Sequence, residues 1–103
     1  MVRRSYLSTE LRRGPTSRTW ILPLTEDECS GAGRLFGGTG LAAAVRALEA
    51  DAARPLVWAT AQFISHAVPG EDLALEVDLL AEGRATTQAR ARGHVDGREV
   101  IAV

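Results

Sequence analysis

The residues best suited to chemistry fall in three places along the chain. Gly37, Gly38 and Thr39 stand where a glycine-rich turn opens directly into an apolar helix. Amides at a helix start lack intrahelical partners, and the helix dipole favours negative charge there. With no side chains at 37 and 38, an acyl oxygen can come close to those N–H groups, so they suit a developing oxyanion. The same glycines would equally serve a tight turn and close helix–sheet packing. Gln62 and His66 lie in the next apolar stretch. An imidazole can take a proton from water and an amide can orient one, while a strand-end histidine or an exposed strand glutamine is also an ordinary structural use. Thr86 and Thr87 carry hydroxyls that can position water, although threonine is common in strands for its β-propensity alone. Arg84, Arg90 and Arg92 can grip phosphates through paired N–H groups or simply solvate a sheet face.

Other chemistries are excluded by what is missing. Gly31-Ala32-Gly33 looks like the start of a dinucleotide fingerprint, but Phe36 stands where its third glycine belongs. All twelve basic residues are arginine, so there is no lysine for a phosphate-binding P-loop. Cys29, His66 and His94 do not make a metal-ligand spacing, and Cys29 has no base near it in sequence. The net charge of -1 argues against nucleic-acid binding, and no run is apolar enough to span a membrane. A single cysteine suits a reducing cytoplasm.

The elements that must position these groups are legible in outline. At 103 residues the chain is one domain, small enough to gain from oligomerisation. Residues 1–16 read as a lead-in, with a short strand at 5–7, and residues 17–103 as the domain. A strand is expected over 17–24, at an edge or bulged because Pro23 cannot donate to a ladder. Leu41, Ala44, Val45, Leu48 and Ala52 share one helical face, with Arg46, Glu49 and Asp51 off it, and Arg54-Pro55 stops the helix. Residues 56–66 are continuously apolar, which suits a strand buried on both sides or one at an interface. Pro69-Gly70 turns the chain. Leu73, Leu75, Val77 and Leu79 then alternate with their neighbours as a half-buried strand does. After Glu82-Gly83, a strand over 84–95 places Ala85, Thr87, Ala89, Ala91, Gly93 and Val95 on one face. Asp96-Gly97 signals a two-residue hairpin into a last strand over 100–103. The order is strand, long helix, then four strands in antiparallel succession: an α+β fold with a sheet curled around one helix.

Four motifs in this order resemble one family. Leu35-Phe36-Gly37-Gly38, Trp58-Ala59-Thr60-Ala61-Gln62-Phe63, Val68-Pro69-Gly70-Glu71, and Gly83-Arg84 through Gln88-Ala89-Arg90 together look like the acyl-CoA thioesterase II family. The resemblance covers residues 17–103 and implies a hotdog fold, an antiparallel sheet wrapped around a central helix. It implies hydrolysis of acyl-coenzyme A with water as nucleophile, no metal and no cofactor. Taken with the chemistry of the residues themselves, the candidate catalytic group is Gly38, Gln62, His66 and Thr86, and the candidate substrate-binding group is Phe36, Gly37, Thr39, Arg84 and Arg90. The resemblance itself places Thr86 or Thr87 near the family's catalytic threonine. Members typically carry two hotdog repeats, and this chain resembles the N-terminal one. The implied partner is therefore a second copy, as a dimer or higher oligomer, or a C-terminal repeat. In the family's second repeat an aspartate stands where this chain has Ala61 or Gln62. The alternative expectation is thus a non-catalytic hotdog that binds acyl-CoA or scaffolds a partner.

Overall fold

A computed structural model describes residues 11–25, 29 and 37–103. The strand expected at 5–7 and the candidate Phe36 lie outside the described residues. The described elements are β1 (Arg12–Arg13), β2 (Thr19–Pro23), α1 (Gly37–Ala52), β3 (Gln62–Phe63), β4 (Asp72–Glu82), β5 (Thr87–Val95) and β6 (Arg98–Ala102). All strands join one six-stranded antiparallel sheet in the order β1-β2-β4-β5-β6-β3, and α1 lies against β4 and β5.

The long hairpin β4–β5 is the frame. Leu75 stands opposite Gly93, Val77 opposite Ala91 and Leu79 opposite Ala89, which fixes the helix-facing side of both strands. On the other side Asp78 faces Arg90, Glu76 faces Arg92 and Ala74 faces His94. The expected alternation is present from Leu73 to Leu79 and from Thr87 to Val95. The strand expected over 84–95 begins only at Thr87, because residues 83–86 form the turn, and a bulge between Leu79 and Ala81 shifts the register. Its turns follow from backbone demands. Asp96 and Gly97 both take positive φ, 48° and 81°, as a two-residue hairpin requires. Gly70 turns at φ 92°, with the Glu71 amide donating to the Val68 carbonyl. Gly83 has room for no side chain, because a Cβ there would sit 2.9 Å from the Thr86 oxygen.

The helix forms where expected but presents a different face. Its buried stripe is Thr39, Ala43, Ala44, Ala47 and Leu48, whereas Leu41, Val45 and Ala52 are only half-buried. Periodicity selects a face by apolarity; close approach to the small residues Ala89, Ala91 and Gly93 of β5 selects it by size. Asp51, expected off the buried face, has a side chain only 5% exposed. Its Oδ1 accepts from Arg13 and its Oδ2 from the Trp20 indole, each at 2.8 Å. Arg13 also stacks 4.0 Å above the Trp20 ring. This cluster ties the last helical turn to β1 and β2, so the stretch read as a lead-in contributes a strand and a partner for the buried carboxylate. The helix ends at Ala53, whose φ of 56° breaks the repeat, and Arg54 then donates to the carbonyls of Gly83 and Arg84.

Two expectations about the strands change. The continuous strand over 56–66 does not form, and burial on both sides is overturned: only Gln62 and Phe63 enter a ladder, opposite Ala102 and Ile101. Residues 56–60 have no regular structure and are exposed. Among the described residues their backbone has no ladder partner. Of the four strands after the helix, β4, β5 and β6 follow one another in space but β3 does not. β3 crosses to the far edge beside β6, and β2 takes the place next to β4. Pro23 is accommodated as its chemistry demands. The Leu24 amide points to β4, donating to Glu71, so by alternation the Pro23 nitrogen faces away from β4 and no β2–β4 ladder bond is lost.

Candidate functional site

Gly37 and Gly38 fall inside the first turn of α1 rather than in a loop before it. Gly38 is exposed, so its backbone is open to approach, while Thr39 is 6% exposed and turns its side chain into the protein. By their position the amides of this turn are those the helix leaves unpaired. The first turn carries no acidic side chain to compete for them.

The other candidates lie elsewhere. Arg84 and Thr86 belong to the β4–β5 turn, closed by the Gly83 amide donating to the Thr86 carbonyl at 2.8 Å. Through Arg54 that turn is moored to the C-terminal end of α1. At ~1.5 Å per residue, Gly38 lies about 21 Å along the axis from Ala52 at that end. One chain therefore does not gather Gly38 and Thr86 around one small group. Thr87 is half-buried at the start of β5.

Gln62 is exposed on the edge strand β3, and Ala61 beside it is half-buried; neither supplies a carboxylate. His66 is exposed just beyond, and its imidazole has no partner among the described residues. Its own carbonyl accepts a short hydrogen bond from Arg98. This edge also carries an apolar row: Leu56, Val57, Trp58, Phe63, Ile64 and Val68 are all exposed, Val57 to 86% and Trp58 to 76%.

Arg90 and Arg92 stand on the sheet face away from the helix. Arg90 reaches Asp78 at 3.2 Å, and Arg92 and His94 approach Glu76 at 3.8 and 3.7 Å. Such half-exposed pairs are weak and leave the arginines free to exchange partners. Cys29 is half-buried against the core, which fits its reading as a small apolar residue. Among the described residues no cluster of His, Cys, Asp and Glu has the makings of a metal site, and no helix is long and apolar enough to cross a membrane.

Sequence reasoning missed the group that holds the edge. Arg98 bridges Ser65, the His66 carbonyl and Glu71, and Glu71 in turn accepts from the Val68 amide. The last strand, expected over 100–103, begins at Arg98 in the structure, and nothing local said that β3 would lie beside it.

A single helix cradled by an antiparallel sheet with this strand order defines a hotdog protein. Residues 24–103 match the family of the acyl-CoA thioesterase N-terminal domain, and the chain belongs to that family. A crystal structure from Novosphingobium aromaticivorans DSM 12444, assigned to the thioesterases, superposes with a TM-score of 0.84 at 32% identity over 91% of this chain. The chain spans only 38% of the length of that protein. Zebrafish thioesterase superfamily member 2 has the same TM-score at 16% identity, covering 94% of this chain and 78% of its own. A sigma28-regulated virulence protein of Campylobacter jejuni follows at 0.72 and 20% identity, covering 82% of this chain and 68% of its own. Those two likenesses are of fold. No curated protein matches.

Proposed function

We propose that this chain is one hotdog of an acyl-coenzyme A thioester hydrolase, of the thioesterase II type, whose site forms where it meets a second hotdog. The observation that carries the two-hotdog arrangement is the exposed apolar row around β3. An edge strand flanked by bare Val57, Trp58, Phe63 and Ile64 invites association unless something covers it. The second hotdog is another copy of the chain, in a dimer or larger assembly, or a C-terminal repeat. The cytoplasm is the compartment this reading takes, supported by the lone half-buried Cys29.

The chemistry follows from the groups available. Water adds to the thioester carbon while a base, His66, takes its proton; Gln62, or Thr86 of one hotdog facing the other, orients the water. The carbonyl electrons move to oxygen, where the Gly38 amide and its neighbours at Gly37 and Thr39 meet the charge. Collapse breaks the C–S bond, and the thiolate takes up the proton to leave as free coenzyme A beside the carboxylic acid. Arg84 and Arg90 are the candidate contacts for the coenzyme's phosphates. Neither a metal nor a cofactor enters this route.

A second reading has its own support. Ala61 or Gln62 stands where the family's second repeat has an aspartate, which favours a non-catalytic half that binds acyl-CoA and completes a partner's site. The test is hydrolysis of a short-to-long acyl-CoA series by the purified chain, followed as release of free thiol. Turnover that falls at least tenfold in Gly38→Val, with the fold intact by circular dichroism, supports the oxyanion role. Unchanged turnover removes it. Tight acyl-CoA binding without turnover favours the half-site.

A further inference from the structure

We propose that Arg98 is the positioning residue of the joining edge. The inference goes beyond the thioesterase reading but rests on its claim that the β3 edge meets a second hotdog. β3 itself is a weak tether. It contributes two ladder pairs, after which the Ile64 and Ser65 amides share one acceptor, the Val100 carbonyl, at 2.8 and 3.3 Å. Two adjacent donors on one oxygen, the second at long range, do not hold a segment that exposes Phe63, Ile64 and Val68.

The remaining hold comes from Arg98. One guanidinium nitrogen donates to the His66 carbonyl and, at 3.3 Å, to the Ser65 hydroxyl. The other donates to Glu71 Oε2 at 3.1 Å. Glu71 Oε1 accepts from the Val68 amide at 2.9 Å, and the Ser65 hydroxyl donates a short bond to the Glu99 carbonyl. The planar fork of arginine lets one side chain satisfy both ends of the 65–68 loop at once. Arg98 heads β6, the strand that β3 borders, so the hairpin tip and the edge are locked as one unit. The His66 ring and the apolar row are thereby presented on a fixed backbone, which lowers the ordering cost of docking a second hotdog.

The experiment is residue-resolved amide hydrogen exchange on the 103-residue chain, with sedimentation velocity on the same samples. In Arg98→Ala, exchange at Ile64, Ser65 and Val68 should quicken about tenfold while β4 and β5 keep their protection, and self-association should weaken about tenfold. Arg98→Lys, a single point charge without the fork, should recover only part of both effects. Glu71→Gln should loosen Val68 more than Ile64. Unchanged exchange at 64–68 overturns the proposal, as does quickening spread evenly through β4 and β5. A wild-type chain that stays monomeric, with the local quickening still seen in Arg98→Ala, supports the clip and overturns self-joining at this edge. Local loosening with undiminished association overturns the link between the two.

Discussion

Replacing Gly93 by alanine should destabilise the fold, and the structure sets the size of the effect. A Cβ on residue 93 would sit 2.7 Å from the Ile101 γ2 methyl, 3.1 Å from Leu75 Cδ2 and 3.2 Å from Leu73 Cδ1. Carbon pairs prefer about 3.5–4.0 Å, so all three contacts are repulsive. None of the neighbours has room to retreat, since Leu73 and Leu75 are fully buried and Ile101 is 2% exposed. The γ2 methyl is also the least mobile part of isoleucine, because branching at Cβ restricts χ1. Overpacking of this kind costs about 1–3 kcal/mol. Removing a glycine from a strand returns about 0.5–1 kcal/mol. The ranges span a net loss of about 0–2.5 kcal/mol, and a 2.7 Å approach to a stiff, buried methyl puts the expectation at about 1–2 kcal/mol. Urea denaturation followed by circular dichroism should show a lower midpoint with an unchanged slope, at one protein concentration for all variants. The sharper test is the pair with Ile101→Ala, which removes the clashing methyl. The double variant should be more stable than the sum of the single effects by about 1 kcal/mol. A neutral or stabilising Gly93→Ala, or strict additivity with Ile101→Ala, would refute the packing argument.

Two further outcomes follow from the helix end. Asp51→Ala strands the Trp20 indole N–H and removes the acceptor for Arg13, and should cost about 2–3 kcal/mol by thermal or urea unfolding, with Asp51→Asn milder because it keeps an acceptor for the indole. Equal stability of Asp51→Ala and wild type would mean that the cluster contributes nothing. Ala53→Gly should raise stability by about 0.5–1 kcal/mol, because residue 53 holds φ at 56°, where a side chain is strained; a lower melting temperature would contradict this.

Where a structural feature rests on residues close in sequence, it was legible from the sequence alone. The β4–β5 alternation, the turns at Gly70 and at Asp96-Gly97, and the helix stop before Pro55 all appear where local periodicity and backbone preference put them. So does the glycine start of the helix, with Gly38 open. Features that depend on distant partners were not legible. Asp51 is buried because Arg13 and Trp20, 38 and 31 residues away, converge on it. β3 lies beside β6, with Gln62 opposite Ala102 and Phe63 opposite Ile101, a pairing across about 40 residues that no local pattern specifies. The spread of the candidate site is of the same kind. Gly38, His66 and Thr86 could be picked out by residue type, yet their placement depends on Arg54 mooring one turn to the helix and Arg98 clamping another loop to β6. Residue type and spacing along the chain determined which groups are able to act. Contacts over tens of residues, whose partners no local pattern specifies, decided where those groups stand.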